Sequence, residues 1–190
     1  MENLININQT YEKLNLANQS LNNREFEDCI FKNCNFSNTN FAENTFMDCK
    51  FIDCNLSTLQ VSNVSLKNVS FKNCKILGVL FQNCNDFLFQ IDFQDCVLDY
   101  ASFANKKMTK TIFLNCSMKE ATFEGANLSE AVFDNCNLAH AIFNNTNLMS
   151  ANFSNAFNFK IDPEFNIIKK AKFSTTGILG LLDKYDIKIV

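Results

Sequence analysis

Along most of this chain a large apolar residue recurs at every fifth position, with polar residues between. From Tyr11 the beat runs through Leu16, Leu21, Phe26, Phe31, Phe36, Phe41, Phe46, Phe51, Leu56, Val61, Leu66, Phe71 and Ile76 to Phe81 without a miss. Asp86 takes the next slot and breaks the register. The beat resumes two residues out of phase at Leu88 and continues by fives through Phe93, Leu98 and Phe103 to Phe153. Neither a helix at 3.6 residues per turn nor a strand at 2.0 keeps a five-residue period in phase. A fixed short period marks a solenoid. The residue two before an anchor is usually small, as at Cys29, Cys34, Thr39, Cys49 and Cys54. The residue two after is often Asn or Asp, and one such column reads Asn33, Asp53, Asn73, Asp95, Asn115, Asn135. These short side chains suit tight corners, where they bond the local backbone and tolerate left-handed φ.

The units Ala126-Asn127-Leu128-Ser129-Glu130 and Ala151-Asn152-Phe153-Ser154-Asn155 resemble the pentapeptide-repeat family, and the likeness covers about residues 11–157. It implies an all-β solenoid, a right-handed quadrilateral parallel β-helix with four repeats per coil. The side chains support a twenty-residue coil independently. Allowing for the two-residue insertion, one inner column reads Phe31, Phe51, Phe71, Phe93, Phe113, Phe133, Phe153. The opposite column reads Phe41, Val61, Phe81, Phe103, Phe123, Phe143, and the remaining two are mostly Leu, Met and Ile. Rings on two walls balanced by aliphatics on the others fill a narrow interior. About seven coils at the strand spacing make a prism roughly 34 Å long, dry inside and without a pore.

The insertion falls at Asn85-Asp86-Phe87-Leu88-Phe89. With Leu88 in the anchor slot, Phe87 and Phe89 flank it and point outward as a contact point, unless one tucks back over the bulge. Residues 1–158 form the prism and its N-terminal cap, with Leu4, Ile5 and Ile7 lying across the open end. Asn158 occupies the anchor slot after Phe153, so the prism is expected to end there. Residues 159–190 then form a C-terminal cap and dimerisation segment. Ala171-Lys172-Phe173 continues one last strand, and Ser174, Thr175 and Thr176 offer caps for a short helix near 175–184. Its apolar face is Ile178, Leu181, Leu182 and Tyr185. This face covers the last coil, or pairs with a second copy, or both. Ile187-Lys188-Ile189 alternates like a final strand.

Composition narrows the function. The net charge is −3, split into −5 for residues 1–100 (12 acids, 7 bases) and +2 for residues 101–190 (8 acids, 10 bases). This argues against direct nucleic-acid binding. No basic leader followed by an apolar run opens the chain and no long apolar run spans a membrane, so a cytoplasmic location is expected. Nine cysteines with no secretory leader argue against a disulfide framework. All nine sit two residues before an anchor slot, six of them in the column Cys34, Cys54, Cys74, Cys96, Cys116, Cys136. A straight column does not converge on a metal, so the thiols read as small buried hydrophobes. His140, the single histidine, falls at a solvent-facing corner and Asp134 on a neighbouring one. No carboxylate pair, phosphate loop or cleft is indicated, so no catalytic residue, metal or cofactor is expected and the chain is not read as an enzyme. Glu27, Asp28, Glu43, Asp48 and Asp53 make the first coils acidic, with Asp28 and Asp48 stacked on one face.

The tail narrows the resemblance further. Ile161-Asp162-Pro163, Lys169-Lys170-Ala171-Lys172-Phe173 and Gly180-Leu181-Leu182-Asp183-Lys184-Tyr185-Asp186-Ile187 are similar to the quinolone-resistance (Qnr-type) branch. That resemblance implies a homodimer through the C-terminal helix. It also implies binding to DNA gyrase and topoisomerase IV as a DNA mimic, and protection against quinolones. The insertion of two residues is short for that branch. Duplex DNA carries about one negative charge per 1.7 Å, on the order of twenty over this rod. Mimicry is therefore confined to a local acidic face near the first coils. A protein-interaction scaffold without a topoisomerase role is the alternative.

Overall fold

The computed structural model describes residues 4–188 and shows a parallel β-solenoid of about eight turns with one short C-terminal helix. Each repeat places its anchor inside, the two flanking residues outside, and a corner residue two positions on. At these corners φ lies between +50° at Asn135 and +65° at Lys110. Asn and Asp hold most corners, as their turn chemistry predicts, but Glu43, Thr58, Tyr100 and His140 adopt the same left-handed form. That form costs an ordinary residue roughly 1–2 kcal/mol. Stacking offsets it, because the corner N–H donates to the next coil: Asp28 N to Met47 O at 3.0 Å, Asp48 N to Lys67 O at 3.0 Å.

The first wall carries Ile5–Ile7, Glu25–Glu27, Thr45–Met47 and Ser65–Lys67 as a four-stranded sheet. The second wall carries nine strands, from Thr10–Glu12 to Lys172–Phe173. The third and fourth walls are joined by single parallel bridges such as Asn35↔Asn55 and Thr122↔Ile142. Partners stand twenty residues apart, as in Phe31↔Phe51 and Phe113↔Phe133. Across the insertion the offset becomes twenty-two, as in Phe71↔Phe93 and Lys75↔Val97.

Inside, the rings stack along the axis. On the second wall their centres are 4.6 Å apart at Phe31–Phe51, 5.5 Å at Phe93–Phe113 and 4.9 Å at Phe113–Phe133. Across the prism they meet edge to face, as at Phe113–Phe123, 6.1 Å apart and 82° between planes. Both arrangements suit the ring quadrupole.

The small slot does more than leave room. The carbonyl of an anchor is met by the side chain two before the next anchor, one coil on. Cys54 Sγ reaches Phe31 O at 3.4 Å, Cys74 Sγ reaches Phe51 O at 3.4 Å, and Cys136 Sγ reaches Phe113 O at 3.3 Å. Thr39, Thr146 and Asn166 make the same bond to Leu16, Phe123 and Phe143 at 2.7, 2.9 and 3.0 Å. The thiols are therefore weak donors to buried acceptors as well as small hydrophobes.

Five expectations change. Leu4, Ile5 and Ile7 do not lie across the open end; they face outward, and Asn6 fills the anchor slot of the first coil. Its Oδ1 accepts the Tyr11 hydroxyl at 2.8 Å, so an end residue without a coil beneath it is polar. At the insertion Leu88 is exposed with φ +57° and Phe89 is buried. An outward left-handed turn at Leu88 returns the larger ring to the core. The coil also continues past Asn158: Phe159 and Ile161 are buried, and Asn137↔Phe157, Asn147↔Ile167 and Phe153↔Phe173 extend the ladders. The offset stays at twenty through this stretch, so Phe159 enters the core by a local slip of one position and not by an insertion. Finally, the helix is one turn, Leu179–Leu182, followed by a 3₁₀ turn at Asp183–Tyr185. Ser174 Oγ accepts Gly177 N–H at 2.9 Å in the turn before it, but the helix itself is N-capped at Ile178 without a side-chain bond. Ile187 and Lys188 form no strand, and Ile189 lies outside the described residues.

The ring stack has a measurable consequence. Phe113→Ala is expected to lower stability by about 3–5 kcal/mol in denaturant unfolding, through lost burial and a residual cavity. Lys119→Ala on the exposed surface is expected to change it by less than about 0.5 kcal/mol.

Candidate protein-interaction surfaces

The acidic residues of the first coils are distributed by the five-residue beat. Asp28 and Asp48 fall on one corner column, with Asn68 next in line, and Glu27 lies beside them on the first wall. Asp53 belongs to the following corner and Glu43 to the preceding one. The structure thus brings Glu27, Asp28 and Asp48 together and sets Glu43 and Asp53 along the two adjoining edges. All four corner acids are exposed. Their stacked neighbours are amides. Asn68 Nδ2 donates to Asp48 Oδ1 and Asn73 Nδ2 to Asp53 Oδ1, both at 2.5 Å, and Asn63 Nδ2 donates to Glu43 Oε1 at 2.8 Å. An amide above Glu43, Asp48 and Asp53 replaces like-charge repulsion with a hydrogen bond, whereas Asp28 has Asp48 above it. Between the Asp48 and Asp53 corners, however, Lys32, Lys50 and Lys72 face outward on the second wall. The carboxylates line edges rather than a continuous acidic face.

At the bulge Phe87 is 67% exposed and Leu88 63% exposed, so the outward pair is Phe87 and Leu88, not Phe87 and Phe89. Lys67 Nζ lies 5.5 Å from the centre of the Phe87 ring.

Of the expected helix face, only Leu181 and Leu182 turn partly inward, and Leu181 packs on the core. Ile178, Leu179 and Tyr185 are about half exposed. The tail is strapped to the last coil by polar contacts. Ile161 N–H donates to Gly180 O at 3.0 Å, and Lys184 Nζ reaches Asp162 and Glu164, each at 2.8 Å. Gly180 is required because a Cβ there would run into the Phe159 carbonyl.

With this geometry established, the matches to known proteins are specific. A family model described as a pentapeptide repeat region matches residues 24–103 and 44–122, and one described as pentapeptide repeats in eight copies matches residues 116–155.

The chain belongs to the pentapeptide-repeat family.

No curated protein sequence matches it. Among solved structures it resembles a trypsin-treated form of QnrB1, described as a plasmid-mediated fluoroquinolone resistance protein. The TM-score is 0.67 at 17% identity, over 95% of this chain and 100% of that one. A second trypsin-treated form gives 0.66 at 17% identity, over 95% and 99%. HetL, a pentapeptide repeat protein involved in heterocyst differentiation regulation from the cyanobacterium Nostoc sp. strain PCC 7120, gives 0.54 at 14% identity, over 88% and 87%. These likenesses establish the shared fold.

Within this pentapeptide-repeat prism the side chains with intrinsic reactivity are dispersed or shielded. The nine cysteines are all buried. Burial pushes the Cys34 thiol up to about 11 and those of Cys49 and Cys84 up to about 12. His140 stands exposed at its corner, while Asp134 lies on the second wall, where Oδ1 accepts Asn155 Nδ2 at 2.8 Å. Among the described residues no His, Cys, Asp and Glu side chains gather as a metal site, and no helix is long and apolar enough to cross a membrane. Two open grooves, of about 340 and 350 Å³, lie on the second wall along Lys50, Ile52, Lys72 and Ile112, and beneath the tail along His140, Phe159 and Leu179.

Two measurements follow from these groups. A disulfide reagent at pH 8 is expected to label less than one thiol per native chain and all nine after unfolding. Raised thiol values add stability below the unfolded value of ~8.5, and it is lost progressively as pH rises beyond. At the tail, the hydrogen bond from Lys184 holds the Asp162 carboxyl below the usual range, and bonds to Asp162 and Glu164 hold the Lys184 ammonium above its own. A lowered carboxylate stabilises above ~3.9 and fails as pH falls through its folded value; a raised ammonium stabilises below ~10.4 and fails as pH rises. The strap is therefore expected to hold between these limits and to loosen in acid. Proteolysis within residues 177–188 should rise at pH 3, and Lys184→Met should reproduce the effect at pH 7.

Proposed function

We propose that this pentapeptide-repeat rod is a Qnr-type protein that binds DNA gyrase or topoisomerase IV by shape and by a local acidic edge, and so protects the enzyme from quinolones. The observation that carries the reading is the file of Glu27, Asp28 and Asp48 on the first coils of a straight rod. Carboxylates held along one edge imitate, over a short stretch, the charge of a duplex backbone. QnrB1, a fluoroquinolone resistance protein with the same fold along the whole rod, suggests which partner to test. The reading needs no catalytic group: the rod acts by occupying a surface. The tail supports a homodimer, since Ile178, Leu179 and Tyr185 expose apolar area that the last coil does not cover.

A second reading is a scaffold for some other protein, without a topoisomerase role. The lysines Lys32, Lys50 and Lys72 between the acidic corners favour it, because they interrupt any extended anionic face.

Gyrase supercoiling with and without ciprofloxacin separates the two. The first reading expects the wild-type rod to restore supercoiling in the presence of drug, and the triple variant Asp28→Lys, Asp48→Lys, Asp53→Lys to fail while remaining folded. No effect of the wild type across a wide concentration range would sink it and leave the scaffold. For the tail, Ile178→Asp is expected to give a monomer by light scattering, and an unchanged dimer would limit the segment to capping.

A further inference from the structure

The two-residue insertion is held by a side chain that the repeat does not require. Lys106 stands two before the anchor Met108, in a column that otherwise holds residues such as Asn44, Val64, Ala126 and Thr146. It is 2% exposed. Lysine is almost never buried this fully without partners.

The reason lies in the insertion. Elsewhere in this column the donor meets the carbonyl of an anchor one coil earlier, as Thr146 meets Phe123. Here the corresponding carbonyl, Phe81 O, accepts Cys84 N–H at 3.0 Å within the local 3₁₀ turn, just as Phe123 O accepts Ala126 N–H, but the Lys106 ammonium bonds elsewhere. The carbonyl it meets is that of Cys84, at the start of the inserted turn. Lys106 Nζ reaches it at 2.5 Å, binds Asp86 Oδ1 at 2.5 Å, and lies 5.1 Å from the centre of the Phe89 ring. An ammonium has three protons, and here it meets the start, the middle and the end of the inserted turn.

We propose that Lys106 is the positioning residue of the bulge. Its ammonium fastens Cys84, Asp86 and Phe89 at one point, which turns Phe89 inward and leaves Phe87 and Leu88 outward as a preformed apolar contact. The partner of that contact is the topoisomerase surface proposed above, and only this part rests on that reading. The chemistry favours a preformed tip. A loop tied at three points has little freedom left to lose on binding. Asp86 is itself 76% exposed, so the pair sits at the rim, where a neutral side chain at either position releases the turn.

The test compares Lys106→Met, Asp86→Asn and a control, Leu128→Ala, which weakens the core away from the bulge. Chymotrypsin cleavage after Phe87 and Leu88 is followed under native conditions, beside thermal unfolding. Lys106→Met and Asp86→Asn are expected to raise bulge cleavage about tenfold or more. Leu128→Ala should leave it within about twofold of wild type despite a lower melting temperature. Bulge cleavage within about twofold of wild type in both bulge variants overturns the proposal. If Lys106→Met fails to fold, Asp86→Asn decides, because its change is at the surface. In the supercoiling assay, loss of the wild-type effect in folded Lys106→Met supports the contact, and a retained effect overturns that part. A wild type without effect on gyrase rejects the partner, while the cleavage result still decides the latch.

Discussion

Each side chain in this prism lies over the one a coil away, twenty residues on except across the insertion, about one strand spacing along the axis. That single constraint multiplies whatever chemistry a column contains. A phenylalanine becomes a continuous ring stack, and a cysteine becomes a file of S–H···O contacts to anchor carbonyls. A corner carboxylate would become a line of repulsion, and apart from the Asp28 and Asp48 pair the files are broken by amides or a lysine. Asn68 stands over Asp48, Asn73 over Asp53, and Lys110 pairs with Glu130 at 3.8 Å. Surface charge here is shaped first by what can stand in a file, and only then by what a partner requires.

This is why so much of the architecture was legible from residues alone. The five-residue beat, the insertion, the corner amides and the twenty-residue columns all appear in the structure. So does the strand at Lys172–Phe173. What stayed hidden lies where the repetition fails. At the bulge, sequence spacing favours Leu88 for the inner slot, but spacing does not register that a left-handed turn lets Phe89 bury its ring. Lys106 falls in the small slot two before Met108, but the spacing does not show that its ammonium meets the Cys84 carbonyl there. At the ends, Asn6 and Phe159 depart from the beat because each has a coil on one side only.

The candidate surfaces divide in the same way. The corners and outer strands are set by the repeat, and their acids are interleaved with lysines. The bulge and the tail escape it, and there, as at Leu4, Ile5 and Ile7 on the first coil, the chain exposes large apolar side chains together: Phe87 with Leu88, and Ile178 with Leu179 and Tyr185. Under the proposed function, recognition has two components of different origin. One is a repeated edge of carboxylates with little shape of its own, and the other is a pair of singular apolar points. The edge supplies long-range attraction that salt screens, whereas the points supply orientation.

The constant interval between partners also bears on how the rod assembles. Each new coil closes a loop of the same length on the coil before it, so each step carries a similar entropic cost. Contacts twenty residues apart in a chain of 190 give a relative contact order of about 0.1, a value of fast-folding helical bundles rather than of β-proteins. The solenoid can thus grow like a zipper, without the long-range search that slows most sheets. One step differs from all the others. Between Phe71 and Phe93 the loop is longer, and closing the next coil over it requires a lysine ammonium to leave water. That junction divides the rod into two stretches of regular stacking, each able to nucleate by itself and to meet the other at Lys106.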